Sequence, residues 1–373
     1  MNNFIKSSIK DIDISGIRQF NTYANQFPNT IKLTLGELDF HTPKRIKDKA
    51  IEAINQNKTT YTTNQGISAL RQKITQDTLY NEDDVILTVG TTEGLAIVLK
   101  SIVDDGDEVI IPTPGYVGYA PLIHLEGGKV VEVDTTQTNH TITKEALEKA
   151  YTDKTKALLV TSPNNPTGHV LSTEEMAIVT QFVTDYDLLL ISDEIYQDIS
   201  FEQSRTFRDV VSLKDRLVVL GGFSKSHAMT GFRIGYIISH QTLIKAFLKV
   251  HQYTVTSTST ISQYAALEAI DFTYDDMIDS LKHRRDYVIK KLETLGISYI
   301  HPDGAFYVFY SIADTGFNSL DYCKKLVKDY GVALIPGSAF LGNHDNYVRL
   351  SYTANLSTLE EALNRIKAMH ESR

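Results

Sequence analysis

The stretch LLLISDEIY at residues 188–196 places an apolar run directly before a serine and two carboxylates. A second stretch, LVVLGGFSK at residues 217–225, repeats this arrangement with an apolar run that leads to a serine and a lysine. Runs that are apolar on both faces are typical of strands in a parallel sheet that helices cover on both sides. The two stretches therefore predict buried strands whose carboxyl ends are followed by polar residues.

Similar apolar runs alternate with amphipathic helical stretches, such as Thr92–Val103, from about residue 85 to residue 240. This alternation predicts an α/β fold with a mostly parallel central sheet covered by helices. The predicted strands are Val85–Val89, Glu108–Ile111, Lys129–Val133, Ala157–Thr161, Leu188–Ser192, Leu217–Leu220 and Gly235–Ile238.

The pattern changes after about Ile270, where a long amphipathic helix at Asp276–Leu295 is followed by shorter strand-like and helical stretches. We expect a smaller α+β domain there. The N-terminal arm, up to about Asn29, has too few apolar residues for a core of its own, so it must pack on this second domain or on another subunit. The expected division is residues 1–40 for the arm and part of the small domain, 41–270 for the large domain and 271–373 for the C-terminal small domain.

Length and composition exclude several classes of protein. At about 150 residues per domain, 373 residues are consistent with two domains. The 37 basic and 46 acidic side chains give a net charge of −9, which argues against binding to nucleic acid or to an anionic membrane. No apolar run approaches the roughly 20 residues of a membrane helix, and the first residues lack the apolar region of a secretory signal. Because the single cysteine, Cys323, cannot form an intrachain disulfide, we expect a cytoplasmic protein.

Polar residues directly follow five of the predicted strands. Ligands of open α/β sheets bind outside the carboxyl ends of the strands, so these residues predict a binding site at that edge. The sequence has no P-loop, no G-x-G-x-x-G and no H-E-x-x-H motif, and its histidines have no metal-ligand spacing, so we expect no metal site. The polar segments are Gly90-Thr91-Thr92, Thr113-Pro114-Gly115-Tyr116, Ser162-Pro163-Asn164-Asn165, Asp193-Glu194-Ile195-Tyr196 and Gly222-Phe223-Ser224-Lys225.

Residues 221–235, GGFSKSHAMTGFRIG, place a lysine after a predicted strand and an arginine eight residues later. With this S-K-x-x-x-x-x-G-x-R-x-G pattern the chain resembles the class I/II aminotransferases, which are fold-type I enzymes that use pyridoxal 5′-phosphate. The resemblance covers nearly the whole chain from about Ile14. Further motifs follow in family order: Tyr61 with Gly66 and Leu70-Arg71, Asn165-Pro-Thr-Gly168, Ser192-Asp-Glu-Ile-Tyr196 and Val348-Arg349-Leu-Ser.

The resemblance implies a role for each matching residue. Lys225 would form the Schiff base with the cofactor aldehyde and then move a proton at the substrate Cα. Asp193 would keep the pyridine nitrogen protonated, so that the ring accepts electrons. Tyr196 and Asn165 would both hydrogen-bond the phenolic oxygen of the ring, and Tyr116 would stack on its face.

The cofactor phosphate would lie at the start of a helix, where free backbone N–H groups attract an anion. In the family a tyrosine from the neighbouring subunit also reaches this phosphate, which implies a homodimer with shared active sites. Gly222 stands where some members have a phosphate-binding serine, so Ser224 or a water would take that role. The implied phosphate ligands are Thr91, Thr92, Ser224, Arg233 and Tyr61.

Substrate binding is implied for three residues. Arg349 matches the family arginine that binds the α-carboxylate, and the fork of a guanidinium suits a planar carboxylate. Gly36, in LGELDF, matches the family glycine whose backbone closes over that carboxylate. Asn165 is expected to contribute to this part of the site as well.

We therefore expect a PLP-dependent aminotransferase that moves an amino group from an L-amino acid to a 2-oxo acid by a ping-pong route. The glutamate/2-oxoglutarate pair is the expected partner, and the resemblance to bacterial enzymes favours an aromatic or N-acetyl-diaminopimelate-type substrate, with aspartate-type enzymes also similar. One alternative is a C–S β-lyase of the same fold, although such lyases tend to have histidine in place of Tyr196. A second alternative is a PLP-fold binding module without turnover, against which the intact lysine, aspartate and arginine argue.

Overall fold

The computed structural model describes residues 4–10, 12–202, 205–342 and 344–372. No helix within these ranges is both long enough and apolar enough to cross a membrane. The helices are α1 Ser7–Lys10, α2 Gly16–Ala24, α3 Lys44–Asn55, α4 Ser68–Thr75, α5 Gly90–Ile102, α6 Tyr119–Leu125, α7 Lys144–Ala150, α8 Thr173–Asp185, α9 Gln241–Thr254, α10 Thr260–Ala269, α11 Asp275–Thr294, α12 Ser319–Tyr330 and α13 Leu356–Glu371. The strands are β1 Ile31–Lys32, β2 Val85–Thr88, β3 Glu108–Thr113, β4 Lys129–Asp134, β5 Thr155–Thr161, β6 Leu189–Asp193, β7 Leu217–Gly222, β8 Gly235–Ser239, β9 Tyr299–Ile300, β10 Tyr307–Ser311, β11 Val332–Ala333, β12 Ile335–Pro336 and β13 Tyr347–Ser351.

A seven-stranded sheet contains all seven of the predicted strands, in the order β2-β8-β7-β6-β5-β3-β4. Strand β8 runs antiparallel to both of its neighbours, and the other neighbouring strands are parallel. The prediction of a mostly parallel central sheet is therefore confirmed.

Side chains from the two faces of this sheet enter two separate cores. Along β2, for example, Val85 and Leu87 point to one core and Ile86 points to the other, as the period of two in a strand requires. Helices α5 and α9 pack on the Ile86 side, and α3, α4, α8 and α10 contribute to the opposite core. Because both faces are covered, strands such as β2 and β7 are buried at every position rather than at alternate ones, which is why their apolar runs were recognisable.

A second sheet, in the order β12-β13-β10-β9, is antiparallel and contributes to a third core. The N-terminal arm packs on this region of the chain. Its strand β1 pairs with β11, and Phe20, Ala24 and Leu33 are buried in the third core. Of the two locations that the sequence left open for the arm, the one next to the second sheet is therefore realised.

The carboxyl ends of the parallel strands meet at one edge of the seven-stranded sheet. Since β8 is antiparallel, it begins at this same edge, where Gly235 pairs with Gly222 at the end of β7 and with Thr88 at the end of β2. This register brings the segment after β7, which contains Lys225, close to Arg233, which lies just before β8.

Candidate active site

A cavity of about 530 Å³ lies at this edge, between the seven-stranded sheet, the N-terminal arm and the second sheet. All but one of the predicted site residues line it. The exception is Tyr61, whose residue surface is 81% exposed and which lies outside the cavity of its own chain. The predicted residues in the cavity are Gly36, Thr91, Thr92, Tyr116, Asn165, Asp193, Tyr196, Ser224, Lys225, Arg233 and Arg349.

Lys225 is held by a single hydrogen bond across the cavity. Its Nζ donates to the carbonyl oxygen of Gly36 at 2.6 Å. Burial lowers the pKa of Lys225 to about 8, and nearby arginines add to this decrease while the carboxylate of Glu37 opposes it. At neutral pH the amine is therefore unprotonated in a larger fraction of molecules than a free lysine, which favours nucleophilic attack and proton transfer.

Asp193 is the last residue of β6 and is buried. Its carboxylate accepts hydrogen bonds from the backbone N–H of Ile195 and from the phenol of Tyr119. Burial raises the pKa of Asp193 to about 6, and the two hydrogen bonds oppose the rise because they stabilise the charged form. The carboxylate is thus mainly ionised at pH 7, and it suits a cationic ring nitrogen as a partner.

Positive charge is concentrated at the start of helix α5. Gly90 has a φ of 76°, and Thr91 and Thr92 follow it in the first helical turn. The guanidinium of Arg233 abuts this turn, because a Cβ on Gly90 would lie only 2.8 Å from Arg233 Nη2. Backbone N–H groups at a helix start and an adjacent guanidinium together form an anion site of the kind that binds phosphate.

Ser224, which was predicted as a further phosphate ligand, is buried and lines the same cavity. A side chain on Gly222 would crowd the backbone of β8, since its Cβ would lie 3.0 Å from the Cα of Gly235. A larger side chain at Gly222 would therefore require a small shift of β8, whereas Ser224 lines the cavity without one.

Arg349, on β13, is only 2% exposed. Its Nη1 donates to Asn165 Oδ1 and its Nη2 to the carbonyl oxygen of Thr34, both at 2.8 Å, whereas its buried Nε has no partner. The guanidinium also lies 4.3 Å from the ring centre of Tyr307. In the described part of the chain it forms no ion pair with a carboxylate. A buried cation without an anion is costly, so the site is suited to a carboxylate supplied by a ligand.

Tyr196 and Tyr307 are linked by a 2.9 Å hydrogen bond between their hydroxyl groups. Burial raises the pKa of both phenols, so each remains a protonated donor at neutral pH. Gly36 packs against this pair, because a Cβ on Gly36 would lie 2.6 Å from Tyr307 Oη. The absence of a side chain at Gly36 therefore allows the arm to approach both Tyr307 and Lys225.

Several cavity residues were missed by the sequence analysis. Tyr119 lies three residues after Tyr116, and this spacing was the only local signal for it. Thr161 ends strand β5 and Thr230 lies in the turn before β8. The others come from the arm and from β10, whose packing no local pattern predicts. The missed residues with polar side chains are Ser15, Arg18, Asn21, Thr34, Glu37, Tyr119, Thr161, Thr230 and Tyr307.

Comparisons with known proteins agree with this geometry. Residues 28–366 match the family model described as aminotransferase class I and II. The chain belongs to this family. A probable N-acetyl-LL-diaminopimelate aminotransferase of Bacillus subtilis is 40% identical over 98% of this chain and 96% of the relative. Aromatic-amino-acid aminotransferase 2 of Thermococcus litoralis is 34% identical over 97% of each protein. The crystal structure of an aspartate aminotransferase of Thermotoga maritima superposes with a TM-score of 0.94 at 34% identity, covering 98% of this chain and all of that one.

The chain is thus a pyridoxal-phosphate-dependent aminotransferase, and the predictions of the family, the type I fold and the cofactor are confirmed. The residues of the cavity fit the cofactor. An aminotransferase of this family needs an acid for the ring nitrogen, an amine for the aldehyde and a cradle for the phosphate. Asp193, Lys225 and the anion site at Gly90–Thr92 and Arg233 provide groups of these three kinds within one cavity.

Proposed function

We propose that this aminotransferase takes the amino group of an L-amino acid and passes it to a 2-oxo acid, with glutamate and 2-oxoglutarate as one of its substrate pairs. The observation that carries this proposal is the buried guanidinium of Arg349, which has an unpartnered Nε and lies in the same cavity as Lys225. An amino acid whose α-carboxylate pairs with Arg349 is held with its amino group and Cα in reach of Lys225.

When bound, pyridoxal phosphate supplies an electron-accepting ring that makes the proton on the substrate Cα acidic enough to be removed. Lys225 Nζ takes this proton and returns it, for which its lowered pKa suits it. Asp193 holds the proton on the ring nitrogen. Thr91, Thr92 and Arg233 bind the phosphate and so fix the ring in the cavity, with Ser224 as a further donor.

The remaining polar groups orient the substrate and the ring. Asn165 Oδ1 accepts from Arg349, so its amide N–H group is left to donate to the phenolic oxygen of the ring. Tyr196 donates to the same oxygen, and Tyr307 supports Tyr196 through their hydrogen bond. Tyr116 stacks on the ring face. Holding these groups in fixed positions lowers the entropy cost of reaching the transition state.

The donor is proposed to be an aromatic amino acid or an N-acetyl-diaminopimelate-type compound. Support comes from the names of the similar proteins, which include a probable N-acetyl-LL-diaminopimelate aminotransferase and an aromatic-amino-acid aminotransferase. The alternative of a C–S β-lyase has no comparable support, because these relatives are named aminotransferases.

We further propose a cytoplasmic homodimer with the division into domains expected from the sequence, residues 1–40, 41–270 and 271–373. In this dimer Tyr61 reaches the phosphate of the partner's cavity. Its 81% exposure in the single chain supports this, because the ring is available to a second copy. A hybrid dimer of Lys225→Ala and Tyr61→Ala chains would then contain one intact site, and mixing the two variants should restore activity. If activity is not restored, Tyr61 acts within its own chain or not at all.

A stoichiometric half-reaction tests the proposed function. The holoenzyme is mixed with a single amino acid in the absence of any 2-oxo acid, and the products are quantified. We expect one equivalent of 2-oxo acid per active site, no ammonia, and conversion of the cofactor to its pyridoxamine form. Release of ammonia and pyruvate from a cysteine derivative over many turnovers would instead establish the lyase.

A further inference from the structure

One of the cationic side chains that line the cavity has no role in the function proposed above. Among the described residues, the charged side chains that line the cavity belong to Arg18, Glu37, Asp193, Lys225, Arg233 and Arg349. The last four bind the cofactor or the α-carboxylate in the proposed function, and Glu37 acts electrostatically on Lys225. Arg18 is left without a function.

The guanidinium of Arg18 is also without a partner in the protein. Thr22 donates to the backbone carbonyl oxygen of Arg18, but its guanidinium makes no hydrogen bond or ion pair within the described part of the chain. An arginine that lines a cavity and has no internal anion presents five N–H donors to whatever enters the cavity.

The backbone beneath Arg18 is held firmly, although the side chain is exposed. Arg18 lies in the first turn of α2, and Phe20 and Ala24 of the same helix are buried in the third core. Gly16 packs closely on the turn after β12, since a Cβ there would lie 3.0 Å from the Cβ of Ala339. The helix therefore fixes where the guanidinium can reach, and its first turn forms one wall of the cavity.

This wall faces the part of the cavity that is left for the substrate side chain. Arg349 and Lys225 determine where the α-carboxylate and Cα of the substrate lie, so the side chain must extend toward the remaining walls. Ser15, Arg18 and Asn21 of the arm contribute to them. Burial raises the pKa of Tyr116, and the positive charges of Arg349 and Arg18 both act to lower it. The two guanidinium groups are therefore close enough to the same ring to act on it electrostatically.

We propose that Arg18 binds the distal carboxylate of a dicarboxylic substrate, which is glutamate in one half-reaction and 2-oxoglutarate in the other. This assignment rests on the proposed function, because it assumes that Arg349 holds the α-carboxylate. A guanidinium fork pairs with a carboxylate through two parallel hydrogen bonds, which is the contact that a dicarboxylic acid offers and a neutral amino acid does not.

Arg18 affects how strongly the enzyme prefers dicarboxylic substrates to neutral ones. Because its side chain is exposed, water screens part of the attraction, and the contact is weaker than one made by the buried Arg349. Neutral and aromatic donors make no ion pair with Arg18, so their reaction does not depend on its charge.

L-Glutamate and L-glutamine provide the test, since they have nearly the same shape and differ in the charge of the distal group. The half-reaction of the holoenzyme with each amino acid is measured for the wild type and for Arg18→Gln. We expect Arg18→Gln to lower the second-order rate constant for glutamate about 5- to 10-fold and to leave that for glutamine within about twofold. Arg18→Lys, which keeps the charge but loses the fork, should recover part of the glutamate rate.

Lys32→Gln is the matched control, because Lys32 is an exposed cation of the same arm that does not line the cavity. Lys32→Gln should leave the ratio of the rate constants for glutamate and glutamine unchanged. A changed ratio in Arg18→Gln alone would then show a local contact rather than a general effect of the protein's charge. Glutarate, which has two carboxylates and no amino group, adds an equilibrium readout: its Kd for the holoenzyme should rise in Arg18→Gln, as measured by calorimetry.

Three results would overturn the role of Arg18, two of them in the variant and one in the wild type. One is an equal loss for glutamate and glutamine in Arg18→Gln, which would indicate a structural effect, and the other is no loss for either. A wild type that reacts with glutamine or aromatic amino acids but not with glutamate would also overturn it, while leaving the aminotransferase site intact. A wild type that reacts with no amino acid at all would overturn the proposed function itself.

Discussion

The phenol of Tyr119 donates a 2.8 Å hydrogen bond to Oδ2 of Asp193, and its oxygen lies 2.5 Å from the hydroxyl of Thr161. This contact is fully buried, and it provides Asp193 with a donor inside the protein in place of water. Since a hydrogen bond to the charged form of a carboxyl lowers its pKa, Tyr119 limits the rise that burial causes at Asp193. The carboxylate is thereby kept ionised at the pH at which it must hold the proton of the ring nitrogen.

Tyr119→Phe should therefore shift the pH dependence of cofactor binding. With the phenol removed, the pKa of Asp193 rises further above its value of about 6, so the carboxylate is lost at a higher pH as the solution is acidified. The Kd of pyridoxal phosphate for the apoenzyme, titrated between pH 5 and 8, should begin to increase at a higher pH in Tyr119→Phe than in the wild type. The cofactor's own ionisations are common to both proteins and cancel in this comparison. Superimposable profiles would mean that Tyr119 does not control Asp193.

Arg349→Gln should weaken substrate binding and spare the cofactor. The substitution removes the cation proposed to pair with the α-carboxylate, and hydrogen bonds to charged groups are worth about 1.5–3 kcal/mol, so kcat/KM for amino acids should fall about 10- to 100-fold. The visible spectrum of the holoenzyme should be unchanged. Arg285→Lys is a suitable control, because Arg285 is also buried but lies over Phe201, away from the cavity. Substrate affinity close to the wild-type value in Arg349→Gln would remove Arg349 from the site.

Gly36→Ala should disturb the site through Tyr307. The added Cβ would lie 2.6 Å from Tyr307 Oη, so the ring must move and its bond to Tyr196 must weaken. Overpacking of this kind costs about 1–3 kcal/mol in the free energy of unfolding. We expect reduced stability in denaturant titrations and a lower kcat/KM.

A double mutant isolates this clash. Tyr307→Phe removes the hydroxyl, and the next ring atom lies 3.9 Å from the position of the new Cβ. Gly36→Ala should therefore cost much less stability when introduced into Tyr307→Phe than into the wild type. Equal costs in the two backgrounds would show that the clash with the hydroxyl is not the reason for glycine at this position.

The central sheet was predictable because its strands are buried on both faces, so each stands out as a short apolar run. The end of β3 is an instructive exception. The predicted strand ends at Ile111, whereas in the structure it continues through Pro112, which lacks an N–H group, to Thr113. At Pro112 strand β3 pairs with β4, whereas its pairing with β5 ends at Ile110, so the missing donor is tolerated.

The site residues that lie at or just after strand ends were predictable from the sequence. Those that reach the cavity through packing between distant parts of the chain were less so. Asp193 is the last residue of β6, and Asn165 and Lys225 follow the ends of β5 and β7 within four residues, so the edge of the sheet brings them together. Tyr307 reaches the cavity only because β10 pairs with β13, which no local pattern specifies. Arg18 depends on the docking of α2 against residues more than 300 positions away, such as Ala339.

The most direct test of the account is to identify the residue that carries the cofactor. The holoenzyme is reduced with borohydride, which fixes the covalent link between cofactor and lysine, and is then digested and analysed by mass spectrometry. We expect the phosphopyridoxyl group on a single peptide, at Lys225, and no such label in a Lys225→Ala protein that has lost its turnover. A label on another lysine, or steady turnover by Lys225→Ala, would contradict the account.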